Sequence, residues 1–215
     1  MKNIIIYGMG SLGIKIAKEL KNLEKNNNFH IVAFVDKRNE SIKSEFDILS
    51  PDSLSTLEYD SLLITSEKWF QEIADELVNC YGVNPESIIH LNQLIKEEKH
   101  FCNFCQIKVP FMLDTGIDSP IFMKRKIIGG GKRERCICPI CASNDRERWF
   151  HHVLFHELDI QEKEVSILHF APERQIEKCL RENKKLTYIT ADIQEGRADR
   201  VEDITNISFA NDSFD

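Results

Sequence analysis

The sequence of 215 residues predicts an α/β protein made of two parallel sheets with a cysteine-rich segment between them. Three observations carry that expectation. Apolar β-branched runs alternate with segments of helical spacing over residues 1–95, the pattern of a doubly wound sheet. The alternation then gives way to paired cysteines, and it restarts near residue 149. The expected divisions are residues 1–97, 98–148 and 149–215.

Asn3–Tyr7 (NIIIY) reads as a buried parallel strand, because both faces of the run are apolar. Gly8, Gly10 and Gly13 follow, and Ile14–Lys25 has apolar residues at helical spacing. The polar turn Asn26–Asn28 leads to a strand over His30–Val35, closed by Asp36. A loop containing Pro51, a strand at Ser61–Thr65, a helix at Lys68–Cys80 and a short strand at Ile88–Leu91 complete the first unit. Residues 100–141 show no sustained helix. Beyond them, Asp145–Leu158 reads as a helix, Val165–Phe170 as a strand, Arg174–Asn183 as a helix and Leu186–Ala191 as a strand.

A net charge of −7 argues against nucleic acid or an anionic membrane as the principal partner. The opening MKNIIIYGMG breaks at glycines too early for a signal peptide, and no run approaches 18 apolar residues, so the expectation is a cytoplasmic protein with no membrane partner. Five of the seven cysteines fall between Cys102 and Cys141. In a reducing compartment, clustered thiols point to metal ligation rather than disulfides. Cys80 and Cys179 stand alone on helical segments and read as small buried hydrophobes.

Cys102-Asn-Phe-Cys105 and Cys138-Pro-Ile-Cys141 are two C-x-x-C pairs, each able to turn two thiolates toward one ion. Four soft thiolates with no open position suit a structural Zn²⁺, and metal binding supplies folding free energy to a segment with little core. Cys136 is a spare thiol one residue from Cys138, a worse knuckle spacing. Gly129-Gly130-Gly131-Lys132 lacks the spacing of a phosphate loop and reads as a hairpin. His152 and His156 stand four apart on the expected helix, and are read as surface residues rather than ligands.

Gly8-Met9-Gly10-Ser11-Leu12-Gly13 lies between a strand and a helix, where a dinucleotide fingerprint belongs. The first glycine allows a tight turn, the second close approach of a phosphate, and the third close helix–strand packing. Asp36 closes the second strand, where an acid accepts ribose hydroxyls. The first sheet is therefore expected to be Rossmann-like, either holding a nucleotide or nucleotide sugar or retaining the turn without a ligand. The pieces IIIYGMGSLG, IVAFVD and YDSLLITS resemble the N-terminal nucleotide-sugar-binding-like domains of bacterial sugar acyltransferases and related surface-polysaccharide enzymes.

The stretches GGGKRERCICPICASNDRERWF, ILHFAPE, YITADI and VEDITNISFANDSFD, in that order, resemble bacterial class I S-adenosylmethionine-dependent methyltransferases that carry an N-terminal zinc ribbon. The ribbon segment of that family matches Cys138-Pro139-Ile140-Cys141-Ala142-Ser143 with Arg146 and Arg148 following. The resemblance implies that the turn of His169, Phe170, Ala171 and Glu173 lies against the methionine part of the cofactor. It implies Asp192 on the ribose hydroxyls and Asp203 near the adenine amine. A sheet of this family has about seven strands, and the chain ends where the fourth would begin, so the expectation is an incomplete methyltransferase domain, inactive by itself. No catalytic residue is assigned.

The leading expectation is thus a methyltransferase acting on an unidentified acceptor, in sugar or surface-glycan modification. The rival is a non-catalytic nucleotide or nucleotide-sugar binding module whose zinc ribbon docks a partner. A third reading rests on Lys124, Arg125, Lys126, Lys132, Arg133 and Arg135, a basic cluster able to grip phosphates. Without interleaved aromatics, that cluster reads first as a solvated or carboxylate-paired face.

Overall fold

Ile4, Ile5 and Ile6 have no exposed surface, as a strand covered on both faces requires. They lie in β1 (Lys2–Tyr7) at the centre of a five-stranded parallel sheet, in a computed structural model that describes residues 1–96, 99–127 and 130–215. The chain forms two compact units, Met1–Ala142 and Ser143–Asp215. The expected boundary at residues 97 and 98, and Gly129 of the glycine run, lie outside the described residues.

In the first unit β1 is followed by α1 (Ser11–Glu24), which buries Gly13, Ile16, Ala17 and Leu20. That i, i+3, i+4, i+7 spacing puts one stripe against the sheet. Next come β2 (Phe29–Val35), β3 (Ile48–Leu49), β4 (Ser61–Ile64), α2 (Phe70–Tyr81), β5 (Ile88–Ile89) and α3 (Leu91–Leu94). The strand order is β3-β2-β1-β4-β5 with every pairing parallel. Order reverses between β1 and β4, which opens a crevice at their carboxyl ends, the place where open α/β sheets bind ligands. One face of the sheet packs Ile4, Ile6 and Leu63 against α1, and the other packs Ile5, Tyr7 and Leu62 against Leu77 of α2.

Two hairpins complete this unit. β6 (His100–Cys102) pairs with β7 (Ile107–Val109), and β8 (Leu113–Thr115) pairs with β9 (Arg133–Ile137), both antiparallel. The short α4 (Pro120–Lys124) lies between the second pair. Phe111 and Leu113 join the core cluster of α1 and the sheet, and Lys15 Nζ donates to the Asp114 carbonyl at 2.8 Å.

The second unit opens with α5 (Asp145–His152), held by a reciprocal capping box: Glu147 N–H donates to Asn144 Oδ1 at 2.9 Å and Asn144 N–H to Glu147 Oε2 at 2.7 Å. The helix continues as one π-helical turn, Val153–Glu157. β10 (Ser166–Phe170), α6 (Arg174–Glu182), β11 (Thr187–Asp192) and β12 (Arg200–Val201) follow, and the three strands form a parallel sheet in that order. Among the described residues no helix is long and apolar enough to cross a membrane.

Candidate metal centre and strand-end sites

Cys102 ends β6 and Cys138 follows β9, so the two hairpins bring the C-x-x-C pairs together. All four ligand sulfurs lie within 4.8 Å of one another. The Cys102–Cys141 and Cys105–Cys138 sulfur separations are both 3.8 Å. A tetrahedron with metal–sulfur bonds of ~2.3 Å has edges of about 3.8 Å, so the geometry fits a metal such as zinc. The two knuckles are built alike. Gln106 N–H donates to the Cys102 carbonyl at 2.8 Å, and Ala142 N–H to the Cys138 carbonyl at 3.0 Å. Both residues after the second cysteine take left-handed backbone, with φ of 55° and 61°. Ile140 N–H also points at Cys138 Sγ at 3.4 Å, a contact that favours thiolate. The neighbouring Cys102 sulfur, and then burial, push the Cys105 and Cys138 thiols up, as close approach of sulfurs with no cation between them does. Cys136 is buried outside the group, its sulfur directed to the Arg133 carbonyl at 3.5 Å.

The first glycine turn sits at the β1–β4 crevice, in a cleft of about 870 Å³ lined by residues that include Gly8–Ile14, Asp36, Arg38, Thr65 and Trp69. Gly8 has φ +93°. A Cβ on Gly13 would stand 1.8 Å from the Gly8 carbonyl oxygen, so only glycine lets α1 approach β1 this closely. Gly10 caps α1 in extended conformation, with no side-chain cap and no acid in the first turn. Asp36 is 6% exposed; its Oδ2 accepts Met9 N–H at 2.7 Å and its Oδ1 accepts Arg38 N–H at 2.8 Å. The acid braces the glycine turn, with a second lone pair left on each oxygen. Thr65, the residue after β4, adds a brace by donating to the Gly8 carbonyl.

In the second unit, Ala171 follows β10 with φ +47°, and its N–H donates to the Ala191 carbonyl at 2.8 Å. His169 is occupied on both ring nitrogens, by the Tyr188 hydroxyl at 2.8 Å and by Glu173 Oε2 at 3.0 Å. Glu173 Oε1 in turn accepts from Arg146 at 3.0 Å. Asp192 ends β11 and is 9% exposed, with Oδ1 accepting Gln194 N–H at 2.8 Å. Asp203 lies two residues past β12, exposed, with Oδ1 accepting from Thr205 N–H and hydroxyl. These hydrogen bonds hold the Asp203 carboxyl below the usual carboxylate range.

Other expectations resolve plainly. Cys80 is exposed and Cys179 half-buried, so neither is a core cysteine. Of the basic cluster, Lys132 pairs with Glu134 at 3.3 Å and with Asp114 at 3.7 Å. The His152 ring stacks on Trp149 with centroids 5.7 Å apart. Arg38 and Trp69 escaped the sequence reading because they lie outside any motif, and Thr65 was read only as a strand end; the three converge through the strand order.

Residues 1–89 match a family described as C2185-like, N-terminal. The match ends on the last residue of β5 and so spans the five-stranded sheet. No curated protein matches the chain.

Proposed function

We propose that the chain is part of a cytoplasmic S-adenosylmethionine-dependent methyltransferase, with a Rossmann-like accessory domain and a zinc ribbon. One observation carries this reading: the Ala171 turn, Asp192 and Asp203 stand at the carboxyl ends of three adjacent parallel strands. A nucleoside with a charged tail lies naturally along such an edge. Asp192, buried and fixed by one N–H, is suited to a ribose diol; Asp203 is suited to an adenine amine. No side chain caps α6 behind Glu173, which leaves backbone donors for the cofactor carboxylate. His169 and Glu173 contribute through the shape of the turn, because their side chains are engaged with Tyr188 and Arg146. When bound, the cofactor supplies a sulfonium-linked electrophilic methyl group, and transfer rests on positioning the acceptor in line with it. The four cysteines would hold zinc in a closed shell, a structural role. A sugar or glycan-type acceptor is supported by the resemblance of the first domain.

Calorimetric titration of S-adenosylhomocysteine into the zinc-loaded chain tests the reading. Binding that Asp192→Ala abolishes is expected; heat unchanged by that substitution would remove Asp192 from the site, and absence of heat in any form of the protein would sink the proposal.

A second reading has its own observation, the cleft at the β1–β4 crevice with its uncapped helix and unobstructed Gly10. On this reading the first unit is a non-catalytic nucleotide or nucleotide-sugar binding module, and the ribbon docks a partner. The strand order β3-β2-β1-β4-β5 supports it, being that of dinucleotide-binding sheets.

A further inference from the structure

The cleft over the β1–β4 crevice holds side chains that neither the metal centre nor the second sheet uses. Arg38 is exposed, and its Nη2 stands 3.5 Å from the place of a Cβ on Gly10, over the first turn of α1. Its Nε lies 3.6 Å from Asp36 Oδ1, which steers the guanidinium. Lys37 is different, being paired with Glu76. The uncapped α1 N–H groups and the Arg38 fork therefore share one space, and an anion with several oxygens is what both recognise. Gly10 points the same way: a Cβ there would meet only the flexible end of Arg38, so neither strain nor crowding requires glycine at that position.

The opposite wall is aromatic. Trp69 is 47% exposed at the start of α2, with Lys68 Nζ 4.5 Å from its ring centroid. Tyr7 also lines the cleft; it is 4% exposed, and its hydroxyl has no hydrogen-bond partner among the described residues. Burial, and then Glu76, push the Tyr7 phenol up. A phenol in a cleft wall whose hydroxyl makes no hydrogen bond to the described residues is a polar group suited to a ligand.

We infer that this cleft takes a nucleoside diphosphate, with its phosphates on the α1 N-terminus and Arg38, its base on the Trp69 ring, and the Tyr7 hydroxyl donating to the ligand. The inference rests on the second reading above, and adds the residues that set its specificity. Stacking on an indole tolerates any base, so Trp69 selects a nucleotide over a bare anion rather than one base over another.

The chain has two tryptophans, so Trp149→Phe leaves Trp69 as the only indole reporter. UDP, ADP and inorganic pyrophosphate are titrated into this 215-residue variant, followed by emission and by heat. At least one of the two nucleotides quenches Trp69, while pyrophosphate binds more weakly and without quenching. Arg38→Ala and Trp69→Ala each weaken nucleotide binding about tenfold, and Trp69→Phe restores most of the loss. Circular dichroism verifies that each variant is folded. Nucleotide binding with unchanged emission and unchanged affinity in Trp69→Ala would overturn the aromatic platform while leaving the second reading standing. Equal quenching by pyrophosphate would also overturn the stack. No binding of either nucleotide at millimolar concentration would remove the inference and the second reading together.

Discussion

Both parallel sheets begin with a strand, a turn and a helix, and the two turns are alike until their last hydrogen bond. In each, the first turn residue donates to the end of the next strand: Gly8 to the Val35 carbonyl at 2.9 Å, Ala171 to the Ala191 carbonyl at 2.8 Å. In each, the acid closing that next strand accepts the N–H two residues on, at 2.8 Å for both Asp36 and Asp192. They part at the other carboxylate oxygen. Asp36 Oδ2 takes Met9 N–H from the glycine turn, whereas Asp192 Oδ2 makes no hydrogen bond among the described residues. The first acid is used to brace its own turn; the second keeps an oxygen open at a strand edge. The turns differ correspondingly. The first needs glycine where α1 meets Gly8, while the second carries Ala171 and is tied by the His169–Glu173–Arg146 chain.

The largest expected effect separates the two units. Zinc-linked folding free energy is about 10 kcal/mol or more in small zinc modules, so chelation or Cys138→Ser should loosen residues 100–142 while the second sheet keeps its protection from hydrogen exchange. Metal content and exchange measured together decide it; unchanged metal in Cys138→Ser would take that residue out of the ligand set. Because the thiols must lose protons to bind, protons compete with the metal, and lowering pH should release it.

Next in size, and opposite in sign, are two turn substitutions. Gly13→Ala places a Cβ 1.8 Å from the Gly8 oxygen and should cost about 3 kcal/mol in urea unfolding of the first unit. Ala171→Gly relieves a positive φ of 47° and should stabilise the second unit by about 0.5 kcal/mol. The same sign for both would break the contrast between the turns.

The smallest difference within a pair concerns the two acids. Asp36→Ala leaves Met9 N–H without its partner and should lower the first unit's stability by about 1–2 kcal/mol. Asp192→Ala loses only the Gln194 contact and should cost about 1 kcal/mol or less. Thermal unfolding of each variant measures the difference, and a larger loss at Asp192 would mean that its free oxygen has a structural role.

Period and punctuation made much of this legible. The alternation gave the long strands and helices of both sheets, since their apolar runs are several residues long and bounded by Gly, Asn or Asp. The C-x-x-C spacing gave the metal group, because four short-range thiols need only two hairpins to meet. β3 and β12 were not legible: each has two residues and is paired only because a neighbouring strand edge is there to receive it. The expected single helix Asp145–Leu158 is α5 plus a π turn, a change of hydrogen-bond register that apolar spacing does not encode. The two roles of the acids were also hidden, since Asp36 and Asp192 look equivalent in sequence and differ only by the Met9 N–H that reaches one of them.

Hydrogen exchange with and without S-adenosylhomocysteine tests the central claim most directly, because both strand-end turns are read in one experiment. The account predicts added protection at Ala171–Arg174, Gln194 and Thr205, with Gly8–Gly13 unchanged. Protection confined to Gly8–Gly13, or none in the second sheet at saturating ligand, would contradict it.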